Sequence, residues 1–183
     1  VQAEAMKPCR SLHRPPRPAS GFQLLELLLV VLLLAVLLAV VWGPWQRLAA
    51  RLRADTLRAE LTASLALARS TAITQRRRVT VCGSLDGMTC NPQWSHGWLV
   101  RTEDVPWPSA APGKVVHVRE RQPDRVHVQS SQYRPHVQFL PDGRNAGTNQ
   151  SLVLCVDGRE HSRVVVNVTG RVRSERAGSP AEC

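Results

Sequence analysis

Three successive patterns of apolar and polar positions divide the chain. From Phe22 to Val41 it is Leu, Val and Ala, interrupted only by Gln23 and Glu26 at the N-terminal edge. This run of about 20 residues has the length a helix needs to cross a bilayer, and it lacks the polar face of a buried soluble helix. Trp42 and Trp45 bracket Gly43-Pro44 at its outer end, where amphipathic aromatics favour the boundary between hydrocarbon and water. Beyond Pro44, Leu48 and Leu52, then Leu57, Leu61, Leu65, Ala68 and Ala72, recur with the spacing of one helix face, predicting an amphipathic helix to about Gln75. Its apolar stripe has two possible partners, the sheet of its own domain or helices of other subunits, and the former is expected for the outer half. Arg51 precedes Asp55 by one turn, where opposite charges can meet. Arg76, Arg77 and Arg78 close the helix, where cations complement its dipole and unpaired carbonyls.

From Val79 the pattern turns to short β-branched runs: Val79 with Val81, 97–100, 115–118, 126–128, 137–139, 151–156 and 163–168. Asp86-Gly87, Pro141-Asp142-Gly143 and Asp157-Gly158 are turn sequences, because Gly supplies the positive φ of tight hairpins. The stretch from Glu103 to Lys114, with Pro106, Pro108 and Pro112, reads as an irregular loop. The expected fold class is α+β, a long N-terminal helix packed on a mostly antiparallel β-sheet head. Its segments are a leader over 1–21, a membrane helix over 22–44, an amphipathic helix over 45–78 and a head over 79–183.

Charge sets the orientation. Residues 1–20 carry Lys7, Arg10, Arg14 and Arg17 among four prolines, a basic segment that builds no core and holds the N-terminus in the cytoplasm. The whole chain has 24 Lys and Arg against 14 Asp and Glu, a net charge of +10. Such a surface prefers anionic partners: nucleic acid, anionic lipid headgroups or acidic polymers.

Glu26 is the unusual residue of the apolar run, since a carboxylate inside a spanning helix costs several kcal/mol and needs a partner. A free amine on Phe22, four residues earlier, would supply one if the chain were cut after Gly21. The sequence Gly21-Phe22-Gln23-Leu24-Leu25-Glu26 followed by the apolar run resembles the prepilin signature of type IV pilins and type II secretion pseudopilins. That resemblance implies cleavage after Gly21 by a prepilin peptidase, N-methylation of Phe22, and pairing of Glu26 with a neighbouring subunit's N-terminus during assembly. It further implies a single-pass inner-membrane protein with a periplasmic head that later enters an extracellular filament.

Cys9 falls in the leader, leaving Cys82, Cys90, Cys155 and Cys183, which can pair in three ways. An exported head sits where disulfides persist. Closing the small loop across Asp86-Gly87 makes Cys82–Cys90 the cheapest pairing, and Cys155–Cys183 follows by elimination. There is no C-x-x-C or His pair at zinc spacing, so neither metal nor cofactor is expected. His96, His117, His127, His136 and His161 are scattered, with no H-E-x-x-H, G-x-S-x-G or phosphate-cradling loop, and nothing argues for an enzyme. His117 and His127 alternate with valines and read as solvent-side strand residues.

Near the C-terminus stands Gly170-Arg171-Val172-Arg173. If Arg171 and Arg173 continue a strand, both point to one face, about 7 Å apart, and arginine's planar fork suits phosphate. The paired Cys82 and Cys90, G-W-L-V at 97–100, F-L-P-D-G-R at 139–144, L-V-L-C at 152–155 and G-R-V-R at 170–173 together resemble the FimT/GspH group of minor pilins. In FimT-like members the resemblance implies that G-R-x-R binds double-stranded DNA for uptake in natural transformation. By position Arg171 and Arg173 become the DNA contacts and Gly170 the turn that presents them; Arg176, Arg163 and Arg144 are weaker candidates, and Glu175 sets a negative charge beside them. The implied partners are other pilin subunits, the prepilin peptidase, double-stranded DNA and the inner membrane. The alternative is a GspH-like minor pseudopilin of a type II secretion system with a structural role and no DNA binding.

Overall fold

The computed structural model describes residues 24–103, 113–120, 125–131, 133–178 and 181–183. Gly21, Phe22 and the leader lie outside them, as does most of the proline-rich loop. The described chain comprises helix α1 (Leu24–Gln75), β1 (Val79–Gly83), a 3-10 turn (Trp94–His96), β2 (Trp98–Thr102), β3 (Val115–Arg119), β4 (Val126–Ser130), β5 (His136–Phe139), β6 (Gln150–Val156), β7 (Arg159–Val166) and β8 (Val172–Arg176). It falls into two units, one ending at Trp42 and one running from Gly43 to Cys183.

In the first unit α1 is exposed on every side through Trp42, Glu26 included. It is long and apolar enough to cross a membrane, with a mean hydropathy of 3.3 over its most apolar window.

In the second unit the rest of α1 packs against two antiparallel four-stranded sheets, ordered β3-β2-β1-β5 and β4-β6-β7-β8. Leu57, Leu61 and Leu65 share one core with Val81, Val100 and Phe139 of the first sheet and Leu152, Leu154 and Val164 of the second. The stripe differs from its expected course at the start. Ala50 and Ala54 are the buried residues there, while Leu48 and Leu52 are exposed. At this level the buried face is built from small residues, and the larger leucines lie on the opposite side of the helix. Helix α1 ends at Gln75 because Arg76 takes a positive φ of 52°, and Arg77 N–H donates to the Ala72 carbonyl at 3.2 Å, closing a Schellman-type cap.

Asp157-Gly158 forms the two-residue β6–β7 hairpin, with φ of 52° and 77°, the pattern of a type I′ turn. Asp86-Gly87 instead sits inside a longer β1–β2 connection, where the Asp86 carboxylate accepts from the Met88 and Thr89 backbone N–H groups and the Thr89 hydroxyl. These bonds, led by that from Thr89 N–H, hold its pKa well below the ordinary carboxylate range. A disulfide joins Cys82 to Cys90 across this loop at a Cα separation of 5.5 Å. A second joins Cys155 of β6 to Cys183 at 6.2 Å, and Cys183 N–H donates to the Gly158 carbonyl.

Asp55 does not meet Arg51. Its carboxylate turns toward β7 and β8, taking Arg58 at 3.3 Å, His161 at 3.2 Å and Arg176 at 3.0 Å. Burial raises its pKa, but the His161 hydrogen bond and the charges of Arg176, His161 and Arg58 outweigh this and leave it below 3.8. A depressed folded-state pKa stabilises the fold above 3.8 and loses that contribution as pH falls through the folded value. Asp55→Asn is therefore expected to flatten the decline of the unfolding midpoint between about pH 5 and pH 2. Parallel declines in the two proteins would show that the cluster contributes nothing to acid stability.

Candidate nucleic-acid interface

Opposed residues of an antiparallel pair share a face, so the β7–β8 register sorts the C-terminal arginines. Arg176 opposes Ser162, and Val172 opposes Val166; both partners are buried, so Arg176 lies on the face toward α1, where it is tied to Asp55. Arg173 opposes Val165 and Glu175 opposes Arg163, on the outer face of the sheet. Arg171 lies just before β8, two residues from Arg173, and its carbonyl accepts from Asn167 N–H at 3.1 Å, extending the hairpin by one pair. Arg171 and Arg173 therefore emerge on one side, both exposed.

The hairpin tip is held from several directions. Asn167 Oδ1 accepts from Arg171 N–H and from the Thr169 hydroxyl, each at 2.8 Å. Gly170 N–H donates to the Asn167 carbonyl at 2.9 Å, and Gly170 has φ of +75°. A side chain on Gly170 would overlap the Gly143 carbonyl oxygen. From α1, Arg69 Nη2 donates to the Thr169 carbonyl at 3.3 Å. The Pro141-Asp142-Gly143 turn packs beside this tip, and Asn145 N–H donates to the Val168 carbonyl at 3.1 Å. That places exposed Arg144 in the same loop cluster.

Ion pairing separates the candidates further. Arg163 is gripped by Glu160 through two bonds of 2.8 and 3.0 Å, which raise its pKa, with Glu175 adding to the effect. Arg176 is held by Asp55. Arg144, Arg171 and Arg173 have no carboxylate partner among the described residues. Two supports escaped the sequence reading. Asn167 sits three residues before a glycine, an Asx-turn signal; Arg69 is 100 residues from Thr169, with no local signal.

A family model described as "Type II transport protein GspH" matches residues 58–170. The chain belongs to the GspH family. It is a pilin-like subunit of the kind found in type IV pili or type II secretion machines. Its fold is that of the minor pilin FimU of Pseudomonas aeruginosa. One crystal form is 19% identical, with a TM-score of 0.55 over 74% of this chain and 95% of that one; another gives 0.53 over 69% and 96%. The minor pseudopilin EpsH of the Vibrio cholerae type 2 secretion system is 14% identical, with a TM-score of 0.49 over 69% of this chain and 99% of that one. No curated protein sequence matches the chain. The family match stops at Gly170, so Arg171 and Arg173 stand beyond it.

Proposed function

We propose that this GspH-family subunit is a minor pilin that binds double-stranded DNA without sequence preference through Arg171 and Arg173, serving DNA uptake and pilus biogenesis. The observation that carries the proposal is the exposure of both guanidiniums on one face of a braced hairpin, with no carboxylate partner among the described residues. Unneutralised arginines at this spacing match phosphates along a strand. Arg144 extends the basic surface, while Arg163 and Arg176 serve the fold through Glu160 and Asp55. Before assembly the subunit sits in the inner membrane with its head in the periplasm. Prepilin peptidase cuts after Gly21, Phe22 is methylated, and Glu26 pairs with a neighbour's new N-terminus as the filament grows.

The test is a titration of the full chain, in nanodiscs of neutral phosphatidylcholine, with short duplex DNA over a range of salt. Arg171→Ala/Arg173→Ala is expected to weaken binding at least tenfold, and to reduce the slope of log affinity against log salt by about 2. Unchanged binding by the folded double variant removes these residues from the role. The family description favours a second reading, a structural pseudopilin of a type II secretion system. No binding at low salt by the wild-type chain would establish it over the first.

A further inference from the structure

On the outer face of the β4-β6-β7-β8 sheet, beside the hairpin tip, whose Val168 N–H donates to Asn149 Oδ1 in the lining at 3.0 Å, lies an open cleft of about 470 Å³. Tyr133, the one tyrosine of the chain, stands on its rim and is 93% exposed. Such exposure gives an aromatic ring no role in the core. The turn carrying it is held in place: Gln150 Nε2 donates to the Arg134 carbonyl at 2.8 Å and to the His136 carbonyl at 3.1 Å. Arg134 donates to the Thr148 carbonyl and hydroxyl, each at 2.9 Å, and to the Ala146 carbonyl. These acceptors are neutral, and Arg134 has no carboxylate partner among the described residues, so its charge enters the cleft uncompensated. Gln129 and Asn149 add side-chain amides. Gln150, 3% exposed, also borders the cleft, and its Oε1 has no hydrogen-bond partner among the described residues.

The cleft is continuous with the arginine face. Ser151 on its floor opposes Val165, which opposes Arg173, so one row crosses β6, β7 and β8. Two inter-strand spacings place Arg173 roughly 10 Å from Ser151. This lies well within the roughly 4–16 nucleotides that single-strand-binding domains track. Ser151 and Val165 are only half-buried, leaving the row open.

We infer that this cleft is a single-stranded nucleic-acid subsite, in which a base stacks on Tyr133 and its phosphate meets Arg134, the strand running on to Arg173 and Arg171. The inference rests on the DNA-binding reading of those two arginines. A duplex cannot use the cleft in this way, because its bases are already stacked on their neighbours. A neutral saccharide would use the ring and the amides but neither the Arg134 charge nor the arginine row.

The test uses the full chain in phosphatidylcholine nanodiscs, with labelled 15-mer oligothymidylate and a duplex of equal length. Tyr133→Ala is expected to lower affinity for the single strand roughly tenfold, the size of one base–aromatic stack. It should leave duplex binding unchanged, and Tyr133→Phe should bind both as wild type does. An oligonucleotide carrying 5-iodouracil should photocrosslink to Tyr133. Duplex binding that persists while Tyr133→Ala leaves single-strand affinity intact overturns the subsite alone. If neither DNA binds, the DNA-binding reading falls with it. A chitin tetramer that binds through Tyr133, where oligothymidylate does not, reassigns the cleft to saccharides.

Discussion

Gly170→Val is expected to lower the unfolding midpoint of the head by about 10 °C, corresponding to roughly 3 kcal/mol. Two effects add. A β-branched residue is strained at the φ of +75° found there, at a cost of about 1–3 kcal/mol. Its Cβ would also enter the Gly143 carbonyl, so the two loops that form the basic corner must separate. Gly158 supplies the control, because its φ is +77° and nothing stands within 4 Å of an added Cβ. Gly158→Val should therefore show the strain alone, with a clearly smaller shift. Differential scanning fluorimetry of both variants decides the matter. Equal shifts would mean that the contact between the hairpin tip and the Pro141-Asp142-Gly143 turn contributes nothing. A larger shift at Gly170 would show that the residue presenting Arg171 also locks the corner to the rest of the head.

That corner shows where sequence patterns reach and where they stop. Strands with buried alternate positions were legible, as in β4, where Val126 and Val128 face inward and His127 outward. The β6–β7 hairpin was legible because Asp157-Gly158 is a turn sequence with a local conformational cause. The single α1 helix and its end at Gln75 followed from periodicity. Hydrophobic spacing failed at Leu48 and Leu52, because period alone cannot tell which of two opposite faces is buried when the buried face there is built from Ala50 and Ala54. It failed at Asp55 because a helix-local rule paired it with Arg51, whereas residues 106 and 121 positions away reach it in the fold. The division of the strands into two sheets was likewise invisible, since it turns on one crossover, in which β5 pairs with β1 and β4 with β6 instead of β4 with β5. At the candidate site the alternation of Arg171 and Arg173 was readable. The pairing of Arg176 and Arg163 with carboxylates was not, because it depends on inter-strand register and on the helix beneath. Tyr133 and Arg134 gave only a faint signal, a lone tyrosine beside an arginine in a Pro-flanked turn.

The course of the buried stripe carries the other large effect. Leu61 is 0% exposed and touches the core shared by both sheets, so Leu61→Ala should cost about 3 kcal/mol, the usual loss when a buried leucine leaves a cavity. Leu52 is 59% exposed, and Leu52→Ala should change stability by no more than about 0.5 kcal/mol in the isolated subunit. Denaturant titrations of both variants in nanodiscs test the pair, with comparable losses refuting the assignment of the face. A side chain that contributes nothing to the subunit's own stability, yet stays apolar and exposed beside Leu48 and Trp45, has its burial to gain from another surface. The bilayer boundary next to Trp42 and Trp45, or the helices of other subunits, would provide it. Leu61 belongs to the core of the chain's own fold, whereas Leu52 lies outside it.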